Sequence, residues 1–271
     1  MDVSEIELFL REDIGDFDLF HELLPDKVAK ANIVAKEDGV IAGLEEAMRI
    51  LYYCGISATR RRDDGDTIAG GDVVLELGGG TRAILQSERV TLNFLGRMSG
   101  IATLTRRCVE VVAGNDVKIA GTRKTTPGFR RFEKKAVAIG GGDPHRFCLT
   151  DAVMIKDNHI KIHGMEMAYK YARDTGFTKT VEIEVGNVED AVHAAKLGAD
   201  IVMFDNMDPR EIKEAISALD RQGLCDYVVL EASGGITPGN LALYAETGVD
   251  VISIGALTHS AQWLDFSLEV E

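Results

Sequence analysis

Basic side chains are concentrated in one short stretch of an otherwise acidic chain. Residues 123–161 contain nine lysines and arginines but only four aspartates and glutamates, whereas the whole chain has 44 acidic and 30 basic residues and a net charge of -14. A focused group of cations in an acidic protein predicts a site for an anion. The candidates lie after predicted strands or in a loop that follows a glycine triplet, and they are Arg123, Lys124, Lys156, His145 and Arg146.

Four further basic residues of this stretch lie close together in a predicted helix. Charge runs of this kind are typical of a solvated helix face. We therefore predict that most of these four side chains face water and take no part in the site. They are Arg130, Arg131, Lys134 and Lys135.

Acidic residues end two consecutive predicted strands. Glu184 lies near the end of the run VEIEV, and Asp205 ends the next apolar run. Two carboxylates within a basic site are suitable ligands for a hard cation such as Mg2+, which keeps few protein ligands and bridges phosphate oxygens. We therefore predict that Glu184 and Asp205 hold Mg2+. Glu182 alternates with Glu184 and is a candidate for the same role.

Small residues follow the last two predicted strands. Ser233-Gly234-Gly235 ends one strand and Gly255-Ala256 ends the other, each just before the start of a helix. Glycines in such positions let backbone N–H groups approach a phosphate at a helix N-terminus, and simple tight turns are the alternative. His259 is a further candidate in this region. Neither a Rossmann nor a Walker pattern occurs in the chain.

The second half of the chain alternates short apolar runs with amphipathic helical patterns. This alternation indicates βαβ units and a parallel sheet. An open doubly wound sheet and a barrel both fit, and the barrel is favoured because every run ends in polar or glycine residues. A seventh or eighth strand would lie within 136–142 or near the C-terminus. The six predicted strands are Val117–Ala120, Val153–Ile155, Val181–Val185, Ile201–Phe204, Val228–Leu230 and Val251–Ile254.

The first part of the chain has the pattern of a small α+β domain. Strand-like runs at Ala31–Ala35, Val73–Leu77 and Arg82–Leu85 flank a helical pattern. The glycine triplet 78–80 is predicted to form a hairpin turn. A long helix is expected from Gln86 to Val112, broken at its two glycines, and it would link the two parts of the chain.

Composition excludes several classes of protein. The net charge of -14 argues against a nucleic acid or an anionic membrane as partner. No apolar run reaches the roughly 18 residues that a membrane-spanning helix needs, and the acidic N-terminus does not resemble a signal peptide. The four cysteines form no CxxC pair, which predicts reduced thiols and a cytoplasmic protein.

Several motifs together resemble the quinolinate phosphoribosyltransferase family. The main one is TRKTTPGFRRFEKKAVAIGGGDPHRFCLTDAVMIKDNH at 122–159. The similarity covers essentially the whole chain, although Pro144 and Lys135 depart from the commonest bacterial pattern. The other segments are Ser87-Glu88-Arg89, MSGIAT at 98–103, VEIEV at 181–185, MFDN at 203–206, EASGGI at 231–236 and YAETGVDVISIGALTHS at 244–260.

The resemblance implies an α/β fold, with an incomplete, seven-stranded α/β barrel and an N-terminal α/β sandwich domain. Residues 1–108 would form the sandwich domain with a connecting helix, residues 109–261 the barrel, and residues 262–271 a tail that packs back on the first domain. The implied reaction transfers a phosphoribosyl group from phosphoribosyl pyrophosphate to quinolinate. Decarboxylation then gives nicotinate mononucleotide, pyrophosphate and CO2 for NAD biosynthesis.

The resemblance also assigns roles to residues, with Mg2+ as cofactor. The catalytic residues would be Lys124, Lys156, Glu184 and Asp205, of which the last two hold the metal. Quinolinate would be bound by Arg123, His145, Arg146 and Lys156, with Arg89 contributed by the partner subunit of a homodimer or higher homo-oligomer. Phosphoribosyl pyrophosphate would be bound by Lys124, Ser233, Gly234, Gly235, Gly255, Ala256 and His259.

Three other functions explain the sequence less completely. A barrel isomerase or lyase acting on another sugar phosphate explains the glycine loops but not the dense group of cations. A divergent relative that only binds an anionic ligand would be expected to lose parts of TRKT and IKDNH, and both are intact. A phosphoribosyltransferase that prefers nicotinate would need fewer cations, because nicotinate has one carboxylate.

Overall fold

The computed structural model describes residues 1–15, 18, 23 and 25–271. The chain folds as two compact units: Met1–Leu104 with Ala261–Glu271, and Thr105–Ser260. The domain boundaries inferred from the sequence, after residues 108 and 261, stay a prediction. None of the helices in the described ranges is long and apolar enough to cross a membrane.

The first unit is built on a four-stranded antiparallel sheet. Its core is apolar, and Ile33, Leu51 and Leu75 are fully buried in it. The strands are β1 (Val28–Ala35), β3 (Ser57–Arg60), β5 (Val73–Gly80) and β12 (Phe266–Val270), in the spatial order β12-β1-β5-β3. The described residues of this unit also form a two-stranded ribbon and three helices: β2 (Gly39–Val40), β4 (Thr67–Ile68), α1 (Val3–Ile14), α2 (Leu44–Tyr53) and α3 (Thr81–Val111), whose last turns lie in the second unit.

Two predictions for the first unit are wrong. The glycine triplet 78–80 is not a hairpin turn, because it ends β5 and pairs with 28–30 of β1. Residues 82–85 are not a strand, because they belong to the first turns of α3. A glycine-rich strand end followed at once by a helix lacks the alternation on which strand prediction depends.

Helix α3 also continues without the predicted break at its glycines. It includes both Gly96 and Gly100. A Cβ atom on Gly100 would lie 2.0 Å from the carbonyl oxygen of Gln262, and one on Gly96 would lie 2.9 Å from that of Leu264. These glycines therefore serve close packing of the C-terminal segment against the helix.

The second unit contains a six-stranded parallel sheet, as the alternating pattern predicts. The spatial order of the strands is β6-β11-β10-β9-β8-β7. The strands are β6 (Lys118–Ala120), β7 (Val153–Ile155), β8 (Val181–Val185), β9 (Ile201–Asp205), β10 (Val229–Ser233) and β11 (Val251–Ser253). The helices are α4 (Arg130–Ile139), α5 (Asp157–His163), α6 (Met165–Arg173), α7 (Val188–Leu197), α8 (Pro209–Asp220), α9 (Leu241–Ala245) and α10 (Ala256–His259), with a short 3-10 turn at Cys225–Tyr227.

The further strand predicted within 136–142 or near the C-terminus is not part of the parallel sheet, because 136–139 belong to α4 and Phe266–Val270 pairs in the first unit. A single bridge lies beside β6 instead. Asp143 pairs with Ala120 at the edge of β6, and pairing extends no further. Two neighbours explain this. Pro144 has no backbone N–H to donate to a ladder, and His145 has a φ of 57°, which turns the chain out of an extended path. The α/β class, the N-terminal sheet domain and the barrel-like second unit are confirmed.

Alternation along the strands gives the parallel sheet one apolar and one charged face. In β8, Val181, Ile183 and Val185 are buried, while Glu182 and Glu184 lie on the opposite face. The register of β9 and β10 pairs Asp205 with Ser233. Barrel interiors are usually filled by branched apolar residues, so this charged inner face marks the candidate site.

Candidate active site

Residues at the carboxyl ends of β7, β8 and β9 form the mouth of the site. Lys156 follows β7, and its Nζ atom forms an ion pair with Oε1 of Glu184 on β8. The Lys156 side chain is 46% exposed and that of Glu184 is 14% exposed, so the cation remains open to solvent or a ligand. Asp205 is exposed at the end of β9.

The loop after β6 brings Lys124 to the loop after β11. The Thr258 hydroxyl donates to the Lys124 carbonyl at 2.7 Å. A Cβ atom on Gly255 would lie 3.0 Å from Cδ of Lys124 and 3.1 Å from Nε2 of His259. Lys124, Gly255 and His259 are therefore neighbours, and Ala256 begins the four-residue α10 beside them. Arg123 precedes Lys124, and its buried Nε has no hydrogen-bond partner in the described structure.

The loop after β10 requires glycine for two reasons. Gly234 and Gly235 have φ angles of 90° and 62°, which side chains other than glycine rarely adopt. A Cβ atom on Gly234 would also lie 2.4 Å from Oδ1 of Asn206. Ser233 precedes them and accepts a hydrogen bond from the Ser253 hydroxyl at 3.0 Å.

A turn at His145 and Arg146, here called the His145–Arg146 turn, lies against the inner face of the sheet. Nε2 of His145 is 3.2 Å from Oε2 of Glu231 on β10. Nδ1 of His145 accepts the Arg146 backbone N–H at 2.8 Å, which makes Nε2 the protonated nitrogen of the neutral ring. The Arg146 guanidinium donates to the Ala152 carbonyl at 3.2 Å and contacts the Met154 sulfur at 3.0 Å.

Two carboxylates are buried beneath the mouth. Glu182 is 0% exposed and Glu231 is 1% exposed. Both oxygens of Glu182 lack hydrogen-bond partners among the described residues. Burial, and next the charge of Glu231, raises the pKa of Glu182 to about 7, against the opposing charges of His145 and Arg146. Burial lowers the pKa of His145, but the hydrogen bond and charge of Glu231 outweigh it, so the pKa is raised.

The predicted solvated face of α4 is wrong for Lys134 and Arg130. Lys134 is 4% exposed, and its Nζ donates to the carbonyls of Pro144 and His145. Burial, and next the charge of Arg130, lowers the pKa of Lys134 to about 8. Arg130 donates to the Phe147 carbonyl at 3.2 Å.

The spacing of residues along α4 could have predicted that some of its charged side chains are buried. Arg130, Glu133, Lys134 and Val137 occupy positions i, i+3, i+4 and i+7, and Val137 is fully buried. Charged residues that share a helix stripe with a buried valine need partners in the interior. Glu133 has such a partner, because it accepts from the Thr126 hydroxyl at 2.9 Å. Glu231 carried a weaker signal, because it lies two residues before Ser233 on the same face of β10.

The carboxylates at the mouth suit a hard cation better than the buried group does. Glu184 and Asp205 offer oxygen atoms at the ends of neighbouring strands, which fits Mg2+. His145, Glu182 and Glu231 also bring possible ligand atoms within 4.8 Å of one another. The charges of Arg146 and Lys134 next to that buried group oppose a cation there.

Arg89 belongs to the first unit and to the third turn of α3. Its side chain is exposed. No hydrogen bond or ion pair within the described ranges of the chain involves it. The structure of one chain therefore leaves this guanidinium available.

Comparison with known proteins matches both parts of the chain to one family. Residues 18–99 match the N-terminal domain of quinolinate phosphoribosyl transferase, and residues 101–269 match its C-terminal domain. A probable nicotinate-nucleotide pyrophosphorylase (carboxylating) of Methanothermobacter thermautotrophicus is 50% identical, with 98% of this chain and 97% of that protein covered. The human nicotinate-nucleotide pyrophosphorylase (carboxylating) is 38% identical, with 98% and 90% covered.

Solved structures give the same result. The nicotinate-nucleotide pyrophosphorylase from Francisella tularensis superposes with a TM-score of 0.93 at 35% identity, over 99% of this chain and 95% of that one. The corresponding protein from Ehrlichia chaffeensis has a TM-score of 0.92 at 34% identity, over 100% and 99%. Sequence and fold agree over the full length of the chain, which therefore belongs to the quinolinate phosphoribosyl transferase family.

Proposed function

We propose that this protein is a carboxylating nicotinate-nucleotide pyrophosphorylase, a pentosyltransferase. It transfers the phosphoribosyl group of phosphoribosyl pyrophosphate to quinolinate and releases pyrophosphate and CO2, giving nicotinate mononucleotide for NAD biosynthesis. The observation that carries this proposal is that three candidate residues, from two separate segments, contact strands of one sheet. Lys156 pairs with Glu184 on β8, His145 with Glu231 on β10, and Arg146 contacts Met154 on β7.

These cations fit an acceptor with two carboxylates. Arginine binds a carboxylate with two parallel hydrogen bonds, and lysine supplies a compact point charge. Arg123, His145, Arg146 and Lys156 hold the acceptor, and their combined charge exceeds what one carboxylate needs. The exposed fraction of Lys156 leaves its ammonium able to contact substrate as well as Glu184.

The phosphoribosyl donor lies over the loops after β6, β10 and β11. Lys124 neighbours Gly255 and His259, so its charge meets a phosphate of a donor that occupies both loops. Binding of the remote phosphate positions the reacting carbon. The backbone and side chains for this role are Ser233, Gly234, Gly235, Gly255, Ala256 and His259.

Glu184 and Asp205 hold Mg2+ in this proposal. The bound ion would neutralise charge that develops on the departing pyrophosphate. Lys124 contributes in the same way, because a fixed cation stabilises the leaving group without reorganisation. Arg146 and Lys156 keep the acceptor's carboxylates in place while the new bond forms.

The active assembly is a homodimer or higher homo-oligomer in this proposal. Arg89 of one subunit contributes to the acceptor site of its partner, which is consistent with its exposure. A cytoplasmic location, inferred from the cysteine pattern, stays a prediction.

Product analysis tests the function. The protein is incubated with quinolinate, phosphoribosyl pyrophosphate and Mg2+, and nicotinate mononucleotide and CO2 are measured. We expect one CO2 for each nucleotide, and little product when nicotinate replaces quinolinate. Equal or better turnover of nicotinate would identify the nicotinate-preferring alternative. Calorimetric binding of quinolinate without turnover would identify a divergent binding protein.

A further inference from the structure

The His145–Arg146 turn depends on two buried charged residues that the predicted site does not include. Glu231 is 1% exposed and Lys134 is 4% exposed. A buried charge is costly unless it has a partner. Both residues find that partner in this one turn: Glu231 at the imidazole of His145, and Lys134 at the carbonyls of Pro144 and His145.

The turn itself is strained and needs such support. His145 has a φ of 57°, in the left-handed region that a side chain other than glycine adopts only when its surroundings hold it there. Its N–H donates to Oδ1 of Asp143 at 2.6 Å, its carbonyl accepts from Lys134 at 3.4 Å, and its ring meets Glu231 at 3.2 Å. The backbone and the ring are therefore held from three sides.

The orientation of the His145 ring also determines the position of Arg146. Nδ1 of His145 accepts the backbone N–H of Arg146, so the ring angle that Glu231 sets also fixes where Arg146 begins. The Arg146 guanidinium then reaches the Ala152 carbonyl beside β7. A change in the ring would move a guanidinium that is proposed to bind substrate.

We propose that Glu231 and Lys134 are positioning residues, which hold the His145–Arg146 turn from β10 and from α4 in the conformation that binds a carboxylate of the acceptor. The identity of the acceptor rests on the proposed function, whereas the hold on the turn does not. The alternative role for a buried glutamate is to offset the surrounding positive charge without orienting the ring. Glutamine can fill the orienting role, because it keeps a hydrogen-bond acceptor. It cannot fill the charge-balancing role, because it is neutral.

Two substitutions at Glu231 separate these roles. Glu231→Gln keeps an oxygen that accepts from Nε2–H, and Glu231→Met removes the acceptor at similar volume. The full-length protein is examined by 15N NMR of the His145 ring and by calorimetry with quinolinate. We expect the wild type and Glu231→Gln to share the Nε2–H tautomer and to bind quinolinate within about threefold of each other. Glu231→Met should give a mixture of tautomers and bind at least about tenfold more weakly.

The chain offers a matched control and a test of mechanism. His193 and Glu166 form an exposed pair at 3.1 Å, so Glu166→Gln and Glu166→Met should leave quinolinate binding unchanged. Because Glu231 acts through His145, the double variant His145→Ala/Glu231→Met should bind no more weakly than His145→Ala alone. Lys134→Met should weaken quinolinate binding in the same direction as Glu231→Met, which provides a second measurement if Glu231→Met does not fold.

Three results would overturn the proposal. They are wild-type quinolinate affinity and tautomer in Glu231→Met, an additive loss of affinity in the double variant, or equal losses in Glu231→Gln and Glu231→Met. The last would show that charge, not orientation, is the contribution of Glu231. If the wild type did not bind quinolinate, the proposed function would fail, and the ring signals would still decide whether Glu231 holds His145.

Discussion

At the scale of single residues, charge is placed at two depths on the inner face of the sheet. Lys156, Glu184 and Asp205 lie at the mouth, where they are at least partly exposed to solvent. Glu182 and Glu231 lie deeper and are buried. Buried carboxylates cost stability unless cations lie nearby, and Arg146 supplies such a charge beside Glu182.

The mouth residue Asp205 gives a direct test of the proposed metal site. Asp205→Asn keeps an oxygen ligand but loses the negative charge, so it should weaken the hold on Mg2+ and reduce turnover strongly. Quinolinate binding should stay nearly intact, because the cations that are proposed to bind it are unchanged. Turnover is measured over a range of Mg2+ concentrations, with quinolinate affinity by calorimetry as the control. Unchanged turnover at limiting Mg2+ would remove Asp205 from this role.

The buried residue Lys134 predicts a pH dependence of stability. Its pKa of about 8 in the folded protein lies below the usual 10.5, so between these values the unfolded chain binds more protons. The contribution of Lys134 to the free energy of unfolding therefore increases as pH rises through this window. The free energy of unfolding of Lys134→Met, relative to that of the wild type, should be highest near pH 7 and should decrease progressively towards pH 10. Urea unfolding at both pH values checks this, and a constant difference would contradict it.

At the scale of elements, the loops after the strands position the residues of the site. Capping interactions fix where the helices that follow these loops begin. Helix α8, for example, begins with a capping box in which Asp208 accepts from the Glu211 N–H at 3.0 Å. The loop after β10 is fixed differently, by the close approach of Gly234 to Asn206, which itself has a φ of 55°. Two left-handed residues in contact make this loop sensitive to any added atom.

Gly234→Ala should therefore lower both stability and donor binding. The added Cβ atom would lie 2.4 Å from Asn206 and the φ of 90° is unfavourable for alanine, so we expect a loss of about 1–3 kcal/mol in the free energy of unfolding. The KM for phosphoribosyl pyrophosphate should rise more than that for quinolinate. Gly186→Ala, after β8, is the matched control, because a Cβ atom there meets nothing within 4 Å. Equal stability of the two variants would contradict this reading of the loop.

At the scale of the whole molecule, the proposed role of Arg89 predicts that the active unit contains more than one chain. Arg89→Ala and Lys156→Ala should each be nearly inactive. Unfolded and refolded together, they would form mixed dimers in which one site has both its own Lys156 and the partner's arginine. With random pairing about half of the dimers are mixed, so about a quarter of all sites should work.

The mixing experiment also defines the outcome that would contradict a composite site. Mass measurement confirms that mixed dimers are present, and each variant refolded alone is the control. If Arg89 serves the site of its own chain, every site lacks one residue and mixing recovers no activity. Absence of recovery in confirmed mixed dimers would mean that the composite site does not exist.

Much of the fold was predictable from local pattern. Apolar runs and amphipathic spacing located the strands of the parallel sheet, because the burial of one face imposes periods of two and of 3.6 residues. The strand ends then placed Lys156, Glu184, Asp205 and Ser233 at one edge, since parallel strands share their direction. The predicted break in α3 was wrong because glycine is used both where a helix ends and where another segment packs closely against a helix.

What only the tertiary structure decided is which charges are buried and what they contact. Sequence alone read Lys134 as solvated, and it gave no role to Glu231, because a single helix or strand does not reveal what packs against it. The left-handed turn at His145 and the single bridge at Asp143 likewise depend on partners distant in the chain. Local pattern determines which elements form and where their ends meet, whereas the free energy of a buried charge depends on neighbours that only the assembled fold brings together.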